Sequence, residues 1–137
     1  MKTIFSAFAL SMAASGAFAA GHAMTPMVEA MDQNVENGVV SADKIVAAEN
    51  GWMVVHRTGD DMKPGPVVGH APLRMGENID VAAILTEEVK AGEKLMLMVH
   101  GETGGMKTGI FEYTLGAKED GPVRVDEKLV MSVITAK

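Results

Sequence analysis

Short apolar segments, separated by turn-forming residues at intervals of roughly ten residues, constrain the fold of this chain most strongly. Residues 52–56 predict a strong strand, and residues 95–100 form a continuous apolar run, which is typical of a strand covered on both faces. Asn50-Gly51 precedes the first run, and Asp120-Gly121-Pro122 marks a later turn. The pattern predicts an all-β chain that folds as an immunoglobulin-like antiparallel β-sandwich of about seven strands.

The remaining predicted strands are shorter or less regular, and they lie around residues 39–46, 67–69, 79–85, 111–115 and 128–135. Residues 86–90 are the best candidate for a helical turn, which Gly92 would end. Residues 24–31 carry apolar side chains at helical spacing, but they also fit a tail that becomes a strand near Val28, which we favour. We therefore expect a flexible tail over residues 20–27 and the sandwich over residues 28–137.

The first residues resemble a secretory signal peptide. Lys2 supplies a positive charge, residues 4–14 are apolar, and Ala17-Phe18-Ala19 has the small-x-small pattern that signal peptidase cleaves. Cleavage after Ala19 would remove residues 1–19. The sequence thus predicts a periplasmic or secreted protein.

Composition and charge exclude several classes of protein. The formal net charge of −6 and the absence of a basic run argue against nucleic acid as a partner. No apolar run of about 18 residues follows the signal sequence, so we expect no membrane span. The chain has no cysteine, which excludes disulfides and a cysteine nucleophile. It also lacks a phosphate-binding loop, a serine elbow and an HExxH motif, and we therefore expect it not to be an enzyme.

The N-terminal region offers one candidate metal site. After cleavage at Ala19 the chain would begin Ala20-Gly21-His22, and an amine with a histidine in third position can hold Cu(II) or Ni(II) through four nitrogens. Met24, Met27 and Met31 follow closely and could supply thioether ligands, which favour Cu(I).

Two strand-end histidines form a second candidate. His56 and His100 each follow an apolar run, and they could converge at one end of a sandwich as ligands for copper or another imidazole-binding metal. Glu102 and Asp120 are candidate carboxylate partners, although Asp120 fits a turn residue better. The alternative is structural: each imidazole donates a hydrogen bond to a loop carbonyl.

Several motifs occur in an order that resembles an uncharacterised family of small secreted domains, found in archaeal surface proteins and bacterial exported proteins. The resemblance covers the chain from about Val28 to its end and implies an immunoglobulin-like sandwich without an established activity. In that family an aspartate follows the second histidine by two residues, where this chain has Glu102. The motifs are Gln33 and residues 51–56, 67–69, 98–100, 109–113 and 120–123.

We therefore expect an exported binding or structural module that recognises a partner, such as another envelope protein, through its strand-end loops. The alternative is a periplasmic copper-binding or copper-carrier protein that uses His22, Met24, Met27 and Met31, or His56 and His100. A third option is an accessory domain beside a copper or haem oxidoreductase.

Overall fold

The computed structural model describes residues 24–137, so the predicted signal peptide and the Ala20-Gly21-His22 site lie outside the described residues. Within this range the chain forms strands and no helix. The strands are β1 (Met27–Glu29), β2 (Val39–Ala47), β3 (Gly51–Thr58), β4 (Val67–Leu73), β5 (Gly76–Ile84), β6 (Lys94–Gly101), β7 (Arg124–Val125), β8 (Lys128–Leu129) and β9 (Met131–Thr135).

Two antiparallel sheets pack against each other. The first has the strand order β1-β2-β5, and the second has the order β4-β3-β6-β9. This is the strand order of an immunoglobulin-like sandwich. In this variant the fourth strand belongs to the second sheet, where it pairs with the third strand. The small β7-β8 ribbon is an addition to these two sheets. The predicted all-β sandwich is confirmed.

The main core lies between the two sheets. Alternate residues of β3 and β6, Met53 and Val55 with Leu95, Leu97 and Val99, face inward and are almost fully buried. They pack with apolar residues of the first sheet in one continuous cluster. Every second residue of the two apolar runs that predicted these strands thus belongs to the main core.

The other face of β3 and β6 is buried as well. Its side chains are absent from the main core cluster, yet each is less than a tenth exposed. Residues 102–122, which we call the cover loop, contribute Phe111, Tyr113 and Asp120 above this face. The second sheet therefore has a covered outer layer, formed by Trp52, Val54, His56, Met96, Met98 and His100.

Several predicted elements were wrong or too short. Residues 111–115 form no strand, since they belong to the cover loop. Residues 86–90 form no helical turn, since only residues 86 and 87 bend and residues 88–90 are irregular. β4 continues through Pro72, which is tolerated because β4 is an edge strand of its sheet. β1 begins at Met27 and pairs with β2. Within residues 24–137 we find no helix that is long and apolar enough to cross a bilayer.

Candidate functional site: a buried histidine pair

The register of β3 and β6 places the two histidines diagonally on the covered outer layer. His56 lies opposite Met96, and His100 lies opposite Trp52. Because the strands are antiparallel, the histidines occupy opposite ends of this patch, so the prediction that they converge at one end of the sandwich was wrong. Their side chains nevertheless meet, and the Nε2 atoms are 3.3 Å apart.

Each imidazole donates a hydrogen bond from Nδ1 to a backbone carbonyl. His56 Nδ1 is 2.8 Å from the carbonyl oxygen of Gly65, and His100 Nδ1 is 2.6 Å from that of Asp120. A carbonyl oxygen only accepts, so both Nδ1 atoms must carry hydrogen. A neutral imidazole has one N–H, and therefore both Nε2 atoms present bare lone pairs.

Two lone pairs that face each other at 3.3 Å repel unless a cation lies between or beside them. Tetrahedral coordination with metal–nitrogen bonds of about 2.0–2.1 Å places two ligand nitrogens roughly 3.3–3.4 Å apart. The Nε2 separation therefore fits two imidazoles on one ion. The Nδ1 bonds are also what metal-ligating histidines usually make, because such bonds fix the tautomer and the ring orientation.

Burial keeps both histidines neutral. Both side chains are fully buried, and desolvation lowers the pKa of His56, opposed by its bond to Gly65. Desolvation lowers the pKa of His100 to about 4, with the neighbouring His56 acting in the same direction. The carbonyl and the charge of Asp120 act against this shift. The two Nε2 atoms thus carry no proton at neutral pH, as metal binding requires.

Aromatic side chains of the cover loop close the site from above. The Tyr113 ring meets His100 edge-on, with centroids 4.5 Å apart, and lies 5.9 Å from His56. Phe111 stacks on His70 at 4.4 Å and contacts Trp52 at 5.6 Å. These rings exclude water from the imidazole pair. The alternation of Phe111 and Tyr113, which predicted a strand, instead places both rings over the second sheet.

Asp120 is a buried acidic residue within this cover. Its backbone carbonyl holds His100, and its Oδ2 accepts a hydrogen bond from the Glu112 amide at 2.8 Å. Its Oδ1 is buried and has no hydrogen-bond partner in the described part of the chain. Asp120 adopts a φ of 45°, consistent with its predicted place in a turn, but its burial was not predicted.

Glycines allow the close approaches that set the histidine geometry. A Cβ on Gly51 would lie 2.1 Å from the carbonyl oxygen of His100, so only glycine lets β3 pass the end of β6 here. A Cβ on Gly65 would lie 2.6 Å from the carbonyl oxygen of Arg57. Gly65 therefore reaches β3 closely enough for its own carbonyl to meet His56.

The other predicted ligands are not brought to this pair. Met27 lies on β1 in the first sheet, and the second sheet separates it from the covered outer layer. Met24 and Met31 are exposed, and His22 lies outside the described residues. Among residues 24–137 no group of three His, Cys, Asp or Glu side chains is arranged to hold a metal, so neither Glu102 nor Asp120 completes a site with the histidines.

Met98, Tyr113 and His70 were not predicted at the site from the sequence. Met98 is buried on the same side of the second sheet as the histidines and is not part of the main core. The period-two alternation of β6 already placed Met98 on the face of His100. His70 lies on β4 opposite Val54.

The fold and this pair define a class of protein: a β-sandwich with two closely spaced imidazoles under a loop. The chain matches the model of a family described as a domain of unknown function, DUF7282, over residues 26–137, and it belongs to that family. The expectation of an uncharacterised family is thereby confirmed. Neither the curated proteins nor the solved structures contain a match to the chain.

Proposed function

We propose that this domain binds one copper ion through Nε2 of His56 and Nε2 of His100. The observation that carries the proposal is the 3.3 Å separation of two nitrogens whose Nδ1 atoms both donate to carbonyls. A bound ion turns a repulsive contact between lone pairs into two metal–ligand bonds. Imidazole suits copper, and the buried thioethers on the same face add to that preference.

The cellular setting that we propose follows from the sequence. Residues 1–19 have the pattern of a cleaved signal peptide, which supports a periplasmic or secreted copper-binding or copper-carrier domain. The resemblance to archaeal surface and bacterial exported proteins supports the same location. No catalytic role is part of this proposal, since the chain offers no acid–base or nucleophile motif.

Substitution by asparagine separates the ligand role of each histidine from its structural role. The Asn amide can donate to the same carbonyl as Nδ1 but has no counterpart of Nε2. The test uses the chain from Ala20 onward, with His22→Ala in every sample to remove the N-terminal site. Copper is delivered as Cu(I) without oxygen against a chromophoric chelator.

We expect one copper per chain in the parent protein, and a loss of at least about 100-fold in affinity in His56→Asn and in His100→Asn. His70→Asn is the matched control, because His70 lies on the adjacent strand, opposite Val54, and is not one of the two proposed ligands. Copper retained equally by the parent and by both ligand variants would overturn the proposal and favour the structural role of the histidines.

A second candidate is recognition of another envelope protein through the cover loop. Three large apolar side chains of this loop are exposed, Met106, Ile110 and Leu115, and Met106 is 91% exposed. A photo-crosslinking residue at position 106 in the exported protein should form one discrete adduct. Ile110→Ser with Leu115→Ser should abolish it, whereas diffuse labelling unaffected by these changes would contradict this candidate.

A further inference from the structure

The point where the two imidazoles meet lies over the middle of a three-row patch. In the register of β3 and β6, His56 pairs with Met96 in one outer row and Trp52 pairs with His100 in the other. The middle row is Val54 opposite Met98. Because the histidines belong to the two outer rows and their Nε2 atoms are 3.3 Å apart, they meet over this middle row.

Met98 is the side chain of that row with a donor atom. Strand side chains stand roughly perpendicular to the sheet, so Met98 points to the same side of the second sheet as the two imidazoles. It is 1% exposed and is absent from the main core cluster. Since no third His, Cys, Asp or Glu in residues 24–137 joins the pair, a thioether is the third ligand that this face offers.

The charge balance of the site favours a monovalent ion. Two imidazoles and a thioether are neutral ligands, and the site is buried. The desolvation cost of an ion rises with the square of its charge, so a divalent ion loses about four times as much as a monovalent one. The buried carboxylate of Asp120, whose Oδ1 has no hydrogen-bond partner among residues 24–137, acts on His100 electrostatically as a negative charge. The Asp120 carboxylate therefore balances the charge of a monovalent ion but only half the charge of a divalent ion.

We infer that the site is selective for Cu(I) and that the Met98 sulfur is the third ligand beside His56 and His100. This inference rests on the proposed copper-binding function and deepens it. Soft thioether ligands select Cu(I), whereas Zn²⁺ takes further nitrogen, oxygen or thiolate ligands. The site thus favours Cu(I) over Zn²⁺ both by the softness of its ligands and by its charge.

The test compares Met98→Leu with Met96→Leu in the His22→Ala background. Both methionines are buried on the same strand and face, and a Met-to-Leu change conserves volume, so both variants should fold. We expect Met98→Leu to weaken Cu(I) binding at least about tenfold and to leave Zn²⁺ binding unchanged. Met96→Leu should bind Cu(I) as the parent does.

X-ray absorption at the copper edge gives an independent readout. In protein labelled with selenomethionine, copper should show a selenium neighbour in Met96→Leu and none in Met98→Leu. Equal Cu(I) affinity of Met98→Leu and the parent, or a selenium neighbour that persists in Met98→Leu, would overturn the assignment of Met98 and leave the histidine pair as the site. A parent protein that binds no copper would overturn the proposed function itself.

Discussion

The Nε2 atoms of His56 and His100 are 3.3 Å apart although the residues are 44 positions apart in the chain. Neither atom has a hydrogen to donate, because each ring already uses Nδ1 to bind a carbonyl. The folded chain thus holds two bare acceptors in contact, where their lone pairs repel each other. A ligand that binds both nitrogens should therefore stabilise the fold.

Copper should raise the thermal stability of the domain. With free Cu(I) held at about 100 times the dissociation constant, linkage gives about 2.7 kcal/mol. For a domain of this size, that corresponds to a rise of roughly 10 °C in Tm, measured by circular dichroism without oxygen. His70→Asn should show the same rise, and His100→Asn should show none. An equal rise in His100→Asn would place the bound copper elsewhere.

Gly65→Ala should disturb the carbonyl that orients His56. The new Cβ would meet the Arg57 carbonyl oxygen at 2.6 Å, so the backbone must move. We expect a loss of about 1–3 kcal/mol in the free energy of unfolding, measured in urea, and at least about tenfold weaker copper binding.

Gly59→Ala is the matched control in the same loop, because the nearest atom to its Cβ would be Asp61 Oδ1 at an ordinary 3.6 Å. It should leave both quantities nearly unchanged. Equal losses in the two variants would show that the carbonyl of Gly65 has no special role.

The metal-free protein should lose stability as the pH falls from about 6.5 to about 4. Burial lowers the pKa of His100 from 6.5 to about 4, so the unfolded chain binds more protons than the folded chain across this window. The shift corresponds to about 3 kcal/mol, present in full above pH 6.5 and lost as the pH falls through the window. Urea unfolding at a series of pH values measures it.

The double variant His56→Asn with His100→Asn should show a much flatter dependence of stability on pH, because the buried imidazoles are gone. If the parent and the double variant have the same pH dependence, other groups cause it.

Asp120→Asn should separate stability from copper affinity. Asn tolerates the positive φ at this position and can still accept the bond from the Glu112 amide. Removing a buried charge whose Oδ1 has no hydrogen-bond partner in the described part of the chain should raise the free energy of unfolding of the metal-free protein by on the order of 1 kcal/mol. Copper affinity should fall about tenfold, since the balancing charge is lost.

Asp126→Asn is the control, because Asp126 also has a positive φ of 49° but is exposed. It should change neither quantity. A fall in stability together with unchanged Cu(I) affinity in Asp120→Asn would contradict the role of Asp120 as the balancing charge.

The strands that the sequence predicted well are those with a strong apolar signal. β3 and β6 were found because each contains a central apolar run, and the run of residues 95–100 already indicated that β6 is covered on both faces. The part of the cover loop that holds Phe111 and Tyr113 was wrongly predicted as a strand. Phe111 and Tyr113 alternate as in a strand, but they pack downward from a loop, which depends on distant contacts that no local pattern encodes.

The histidines were singled out from the sequence, and their faces followed from the period of two. Their meeting point was not predictable, because it depends on the register of β3 against β6 and on the carbonyls of Gly65 and Asp120. A shift of one residue in that register would move one histidine to the main core. The burial of Asp120 and the central position of Met98 depend on the same pairing.

The sequence by itself determined the strand-rich sandwich and the choice of His56 and His100, since alternation and turn signals are local properties of the chain. Only the tertiary structure decided that these histidines face one another over Met98 under the cover loop. The physical reason is that strand register and loop packing are fixed by contacts between residues far apart in sequence, whose free energy appears only when both sheets are assembled.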